Sequence, residues 1–506
     1  MHLPTDVINQ LENPDLALTE RARLCCRIAK HYEQTGDYEA ASEALGEFWR
    51  GVGARPNVEG LNDAEQAEVI LRAGTLTGWL GSANKIEGAQ EAAKDLISQS
   101  LRLFRAQGQV SKAAEARSDL ALCYWRTGAY DEARVMLEEA FRDTDKSNIE
   151  QRLIVLVRQA IVERESKRLN QALRFHNEAK PLIEKIDNHL LIASFHFSLA
   201  NTLNRLSLVE DREDYVDRAL IESAAASFHY EQAGHERYQA CVENNLGILL
   251  GKAGRFTEAH EHLDRAQALW TKLKDKARLA AVDESRATIL LAEGRNVEAE
   301  KTARSAVRGF TGGDEQSLLA EALTTHGTAL ARLAHPVSAR SAFDEAISTA
   351  EQVGDFERAG ITALTLIEEF GNNLSATEVC ELLDHARSLL DKTEDIGTLR
   401  RLARSAFEGL FLAQAIATPP IWNNFSLRRA VKRFEARLIK AALADSKGSV
   451  THASQLLGFK HHQSLVSLLG TRHKDLMPLR SAPRARRKHL MQHPKKKDRT
   501  TPVPSD

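Results

Sequence analysis

The stretch DLALCYWRTGAYDEARVMLEEAF, residues 119–141, decides the fold. Ala121 and Ala133 stand twelve positions apart, with Tyr124, Gly128 and Tyr130 between them and Leu137 and Ala140 after them. Small and apolar residues at spacings of three and four mark helix faces. A glycine between two such runs marks a turn, because a left-handed backbone is cheap without a Cβ. The stretch therefore predicts two antiparallel helices that approach closely at the two alanines.

The same skeleton recurs on both sides. NNLGILLGKAGRFTEAHEHLDRA, residues 244–266, carries Gly247, Leu250, Gly254, Phe256, Ala259, Leu263 and Ala266. RIAKHYEQTGDYEAASEALGEF, residues 27–48, carries Ala29, Tyr32, Gly36, Tyr38 and Ala41. The small pair repeats as Ala29/Ala41, Gly81/Ala93, Ala121/Ala133, Ala160/Ala172, Gly247/Ala259, Ala287/Ala299 and Gly327/Ala339. A further pair, Ala200/Ala219, fits if residues 209–215 form an inserted loop, and a degraded last unit places Ile367 and Val379 at the small positions. A lone helix pair cannot bury its apolar face, so the units are expected to stack into a solenoid.

This skeleton resembles the tetratricopeptide repeat over about residues 19–392, with a spacing longer than the usual ~34 residues. It is similar to the longer-helix arrays that act as sensors in some bacterial transcription regulators. The resemblance implies a protein or peptide partner; a plain spacer or oligomerisation scaffold is the alternative. RAGTLTGWLGSANKIEGAQEAA, residues 72–93, departs from the pattern with Gly74, Gly78 and Gly81 in its first helix. Glycine inside a helix costs roughly 1 kcal/mol against alanine, which points either to close packing or to a ligand contact there.

Charge divides the chain. The net charge of −2 hides 19 Lys or Arg against 4 Asp or Glu over residues 428–499, after a body with 65 acidic and 49 basic residues. An acidic body with a basic end implies a nucleic-acid partner for that end. Within it, residues 426–448 form a helix pattern with Val431, Phe434, Leu438, Ile439 and Ala442 toward one side and Arg429, Lys432, Arg433, Arg437 and Lys440 mostly outside it. GSVTHASQLLGFKHHQSLVSLLGTRHK, residues 448–474, follows. Thr451 is placed to cap or start a short helix, Gly458 to make a turn, and Leu465, Leu468 and Leu469 to form the buried spine of a second helix.

Gly448, Thr451, Ala453, Leu457 and Gly458 resemble the Fis-type helix-turn-helix, with Ser449, Ser454 and Phe459 departing from its usual Asn, Ala and Ile. The resemblance implies that the second helix enters the major groove, so the expected DNA contacts are Thr451, Lys460, His461, His462, Gln463, Ser464, Ser467, Thr471, Arg472 and Lys474. The family's module commonly dimerises, so a homodimer is an outcome the resemblance allows. One departure stands out. The first spine leucine lies seven positions after the turn glycine instead of six, which re-aims the helix or marks a module that docks protein. His452, His461, His462 and His473 are read as solvent-facing or DNA-contacting and not as metal ligands. Along the basic tail, Arg484, Arg486, Arg487, Lys488, Lys495, Lys496 and Lys497 are expected to follow phosphates.

The expected architecture is all-α: a lead-in at 1–18, a tetratricopeptide-like α-solenoid at 19–392, a terminal helix and linker at 393–425, a helix-turn-helix domain at 426–477 and a basic disordered tail at 478–506. Pro419 and Pro420 are read as ending a helix near Ala417. Residues 1–24 lack the apolar core of a signal peptide, and no run approaches the ~18 apolar residues of a membrane helix. The five cysteines show no metal spacing and are read as reduced core thiols, so the chain is expected to be cytoplasmic, with no membrane partner. No phosphate loop, dinucleotide fingerprint or hydrolase motif is present, so no enzyme, no cofactor and no catalytic residue are expected. Two functions remain open: a DNA-binding transcriptional regulator whose array binds a protein or peptide partner, and an interaction scaffold with a degenerate or RNA-binding terminal module.

Overall fold

The computed structural model describes residues 11, 16–210, 212–313, 315–393, 395–417 and 426–479. The chain divides into two compact units, Met1–Ala413 and Gln414–Asp506. Among the described residues every regular element is helical.

In the first unit, nine helix pairs follow one another: α1/α2 (Leu18–Thr35, Tyr38–Leu45), α3/α4 (Asp63–Ala83, Ala89–Ala106), α5/α6 (Val110–Arg126, Tyr130–Asp143), α7/α8 (Ile149–Glu165, Leu169–Ile183) and α9/α10 (His189–Glu210, Glu213–Gln232). They continue with α11/α12 (Glu236–Lys252, Phe256–Lys272), α13/α14 (Lys276–Ala292, Asn296–Phe310), α15/α16 (Gln316–Arg332, Pro336–Gln352) and α17/α18 (Phe356–Phe370, Ala376–Leu389). A further helix, α19 (Ile396–Ala417), follows, and the expected stop at Pro419 and Pro420 lies outside the described residues. The long spacing has a simple origin: helices such as α11, α12 and α13 are each 17 residues long.

The small residues sit where they were expected. Ala121, Ala133, Ala160, Ala172, Ala259, Ala287, Ala299 and Ala339 are all 0–1% exposed. A Cβ on Gly247 would lie 2.7 Å from Leu263 Cγ, so the two helices of that pair are already at contact. Gly74 and Gly81 answer the earlier choice in favour of packing. A Cβ there would lie 2.7 Å from Ile97 Cγ1 and 2.2 Å from Ala89 Cβ. The turns are tight and left-handed, with φ of 76° at Gly128 and 74° at Gly254; Lys167 and Ala334 take the same geometry at 63° and 59°. Glycine is thus favoured at this position but not required.

Three expectations are corrected. The extra residues of the fifth pair are not a loop. They lengthen α9 to 22 residues and α10 to 20, and Tyr215 is 7% exposed inside α10. Added helical turns bury apolar surface and satisfy their own backbone, which a loop does not. Not every cysteine is a core residue: Cys25, Cys26 and Cys123 are buried, but Cys241 is half-buried and Cys380 exposed. Thirdly, α20 (Leu427–Asp445) of the second unit buries Ile439, Ala442 and Leu443, while Val431 is 38% exposed and Leu427 69%. The two short helices behind it, α21 (Val450–Leu456) and α22 (His462–Thr471), cover only its C-terminal half.

Replacing Ala133 with Leu should overpack the α5/α6 crossing and destabilise the array by ~1–3 kcal/mol. Thermal unfolding followed by circular dichroism tests this; an unchanged melting temperature would mean that the crossing is not tight.

Candidate functional site

First helices of successive pairs pack against each other, whereas second helices pack mainly against first helices. The first helices α1, α3, α5 and onward therefore form the inner face. Their inward side chains carry charge, and each charge must find a partner as the array curves. Arg72 on α3 is 2% exposed. Its Nη1 donates to Glu33 Oε2 of α1 at 2.5 Å and its Nη2 to Glu115 Oε1 of α5 at 2.7 Å, with Asp119 at 3.8 Å. Lys30 Nζ reaches the same Glu115 oxygen at 2.7 Å, and Arg158 Nη1 of α7 binds Asp119 Oδ1 at 2.8 Å. A ladder of ion pairs thus joins four first helices. Burial works to raise the Glu115 carboxyl, but Arg72, then Lys30 and Lys112, hold it well below the usual carboxylate range. Burial lifts Glu33 to about 7 in spite of Arg72, with Asp119 and Glu115 adding to the rise.

A second polar group lies on α13, α15 and α17. Glu284 Oε1 accepts from the hydroxyls of Thr288 and Thr325, each at 3.0 Å. Glu321 pairs with Arg358 Nη1 at 2.9 Å. Burial, then the Glu321 charge, raises Glu284 to about 7, against the pull of the two hydroxyls.

The array also meets itself. Gly36 and Tyr38 of the first pair lie against His235 and Tyr238 at the start of the sixth; a Cβ on Gly36 would lie 2.8 Å from His235 Nε2. Tyr38 and Tyr238 share one cavity wall, and Lys85 Nζ stands 3.5 Å from Glu315 Oε2 at the start of the eighth pair. A cavity of about 130 Å³ opens at this seam, walled by Tyr38, His235, Arg237, Tyr238 and Trp270 among others. A larger one, about 330 Å³, lies between α1, α3, α4 and α5, lined by Arg23, Arg27, Lys30, Glu65 and Lys112 among others. None of these inner groups stood out in the sequence. The available signal was charge at inward positions of first helices, such as Arg72 three residues before Thr75.

In the second unit, Leu465 and Leu469 are fully buried with Ile439, Leu443 and Ala453, and Leu468 is half-buried. Gly458 makes the turn at φ 72°. The seventh residue of the unusual spacing falls in the connection before His462, so the leucine spine keeps its burial. Lys460, His461, His462, Gln463, Ser464, Ser467, Thr471, Arg472 and Lys474 are all exposed. Two details differ from expectation. Ser449, not Thr451, caps α21, because the helix begins at Val450; its side chain accepts from His452 N, and Thr451 is an exposed residue of the first turn. His473 is fully buried, its Nε2 3.0 Å from Glu435 Oε2, and Arg472 Nε binds the same oxygen at 3.1 Å. Glu435 thereby ties the end of α22 to α20. The Thr471 hydroxyl is likewise occupied, donating to Ser467 O at 2.7 Å. Arg484, Arg486, Arg487, Lys488, Lys495, Lys496 and Lys497 lie outside the described residues.

Stacked helix pairs of this kind define a tetratricopeptide-like α-solenoid. Residues 238–310 and residues 22–47 each match a family model described as tetratricopeptide repeat. No curated protein matches the chain. Among solved structures, a signal transduction ATPase with a tetratricopeptide repeat sensor from Pyrococcus horikoshii is 15% identical with a TM-score of 0.47. The match covers 76% of this chain and 54% of that one, so the chain spans about half that protein's length. A Rap protein complexed with competence and sporulation factor is 16% identical, TM-score 0.46, covering 70% of this chain and 99% of that one. The quorum sensor NprR from B. thuringiensis is 11% identical, TM-score 0.43, covering 76% and 97%. Among the described residues no helix is long and apolar enough to cross a membrane.

The raised Glu284 carboxyl makes a signed prediction. Its folded value of about 7 lies above the ~4.3 of a free glutamate. The unfolded chain therefore ionises first, and this group's contribution to stability falls as pH rises from ~4.3 to ~7. Glu284→Gln should match wild type in melting temperature at pH 4 and exceed it at pH 8, by the equivalent of ~1–3 kcal/mol. An equal difference at both pH values would show that Glu284 ionises normally.

Proposed function

We propose that the protein is a non-enzymatic regulator in which a helical-repeat array binds a protein or peptide partner and the C-terminal unit binds DNA. The observation that carries the DNA reading is the two-sided α22. Leu465 and Leu469 are fully buried on one side, while His461, His462, Gln463, Ser464 and Ser467 are exposed on the other, just past the Gly458 turn. The N-terminal part of a recognition helix is what reaches base edges, and Gln463 suits adenine through two hydrogen bonds. Arg428, Arg429, Lys432, Arg433, Arg437 and Lys440 are exposed along α20 and suit phosphate. In the array, half-buried charged side chains of the first helices, such as Lys30, Arg158 and Arg358, are the groups that face a partner in this reading.

A second reading has its own support. With Arg472 held by Glu435 and the Thr471 hydroxyl donating to the Ser467 carbonyl of its own helix, the exposed face of α22 presents no free arginine, the commonest reader of guanine. That favours an interaction scaffold whose terminal module is degenerate or binds RNA.

A gel shift on genomic DNA fragments separates the two. The full chain should shift a subset of fragments, and a chain ending at Thr418 should shift none while keeping its helical signal. Unchanged DNA affinity after truncation would place the activity in the array. On a selected site, Gln463→Ala should cost ~1–3 kcal/mol and change little on random DNA. Equal losses on both would rule out base reading by Gln463.

A further inference from the structure

A helix that reads bases depends on where its first turn points, and α22 is fixed unequally at its two ends. At its start, the N-cap residue His461 makes no side-chain cap hydrogen bond. The connection before it carries the extra residue that sets Leu465 seven positions after Gly458. Along its back, Leu465 and Leu469 are fully buried and form a pivot. At its end the chain is gripped. The backbone N–H groups of Arg472 and His473 both donate to Leu468 O, at 2.9 and 3.1 Å. The side chains of the same two residues then meet on one carboxylate oxygen of α20, Glu435 Oε2, at 3.1 and 3.0 Å.

Glu435 is out of character with its surroundings. Residues 427–440 hold six Lys or Arg and this one carboxylate. It pairs with the two side chains that follow α22 and not with Lys432, one turn back on its own helix. His473 is 0% exposed; its Nε2 donates to Glu435 and its Nδ1 is buried without a partner. The carboxylate is thus held from beneath by a buried ring and from outside by a guanidinium, and two donors on one oxygen leave it little freedom. α22 has 10 residues, about 15 Å of helix. A tilt of ~10° about the leucine pivot therefore moves its first turn by roughly 1 Å, which is enough to lose a hydrogen bond to a base edge.

We propose that Glu435 is the positioning residue of the reading helix: by holding Arg472 and His473 it sets the tilt of α22 against α20 and so aims His462 and Gln463 at base edges. This rests on the reading that the C-terminal unit binds DNA, and it names the residue that makes that binding selective. Glu435 acts through its two partners and touches no base itself. The exposed cations of α20 suit phosphate, which fixes register, and α22 suits bases, which carry sequence. The clasp joins these two helices at the end of α22 that its leucines do not reach. Without it the phosphate contacts remain, and the alignment between clamping and reading is lost.

The test uses the full-length protein and two duplexes, one selected from a random-sequence pool on the wild-type chain and one of the same composition with its sequence scrambled. Both affinities are measured by fluorescence anisotropy at one salt concentration, because phosphate contacts make each of them salt-dependent. Wild type should prefer the selected duplex. Glu435→Ala should lower that preference about tenfold, the worth of one good base contact, while binding the scrambled duplex at least as tightly, since a negative charge has gone. Glu435→Gln keeps an acceptor for His473 but loses the charge that holds Arg472, and should lower the preference about threefold. Asp445→Asn removes an exposed carboxylate of α20 outside the clasp and should leave the preference unchanged. The proposal is overturned if folded Glu435→Ala keeps the wild-type preference, if it weakens both duplexes equally, or if Asp445→Asn lowers the preference as much. Should Glu435→Ala lose its helical signal, Glu435→Gln decides, and an unchanged preference there overturns the proposal. A wild-type chain that selects no duplex sinks the DNA reading itself; one that selects a duplex, with variants that select it equally well, sinks only the role of Glu435.

Discussion

The close approach of the two helices in each pair is the constraint on which the rest of the array depends. At Gly247 there is no room for even a methyl group beside Leu263, and Gly81 stands as tightly against Ala89. Helices that approach this closely bury their facing stripes fully and leave the outer stripes for the next pair. Larger residues at these positions would spread the two helices and alter the angle at which each pair meets its neighbour. Such changes accumulate along nine pairs, so the small residues set the curvature as well as the local contact.

Curvature turns the first helices inward and crowds their side chains. Glu33, Arg72, Glu115, Asp119 and Arg158 are then removed from bulk water together, and each can stay charged only through its neighbours. The ladder they form fixes how α1, α3, α5 and α7 register, since sliding one helix by a turn would strand a buried charge.

In the C-terminal unit the same logic runs at smaller scale. Among the described residues, seven buried apolar residues, from Ile439 to Leu476, make its core. The basic N-terminal half of α20 projects beyond that core with Leu427 and Val431 exposed. Glu435 closes the other end by holding Arg472 and the buried His473. This contact engages Arg472, the exposed arginine that follows α22.

The sequence by itself determined the helix pairs, their length and their crossings. These rest on residues within one unit, where the 3.6-residue period and the twelve-residue interval between small residues are local properties. It likewise determined the leucine spine of α22 and the turn at Gly458. It misplaced what depends on distant partners: the lengthened α9 and α10, the exposed start of α20, and His473, buried against a glutamate 38 residues away. Only the tertiary structure decided that the first pair meets the sixth, bringing Gly36 and Tyr38 beside His235 and Tyr238. The physical reason is that curvature is a sum of small angles between neighbours. No single unit encodes that sum, so residues about 200 apart in the chain become neighbours only once all the pairs between them have packed.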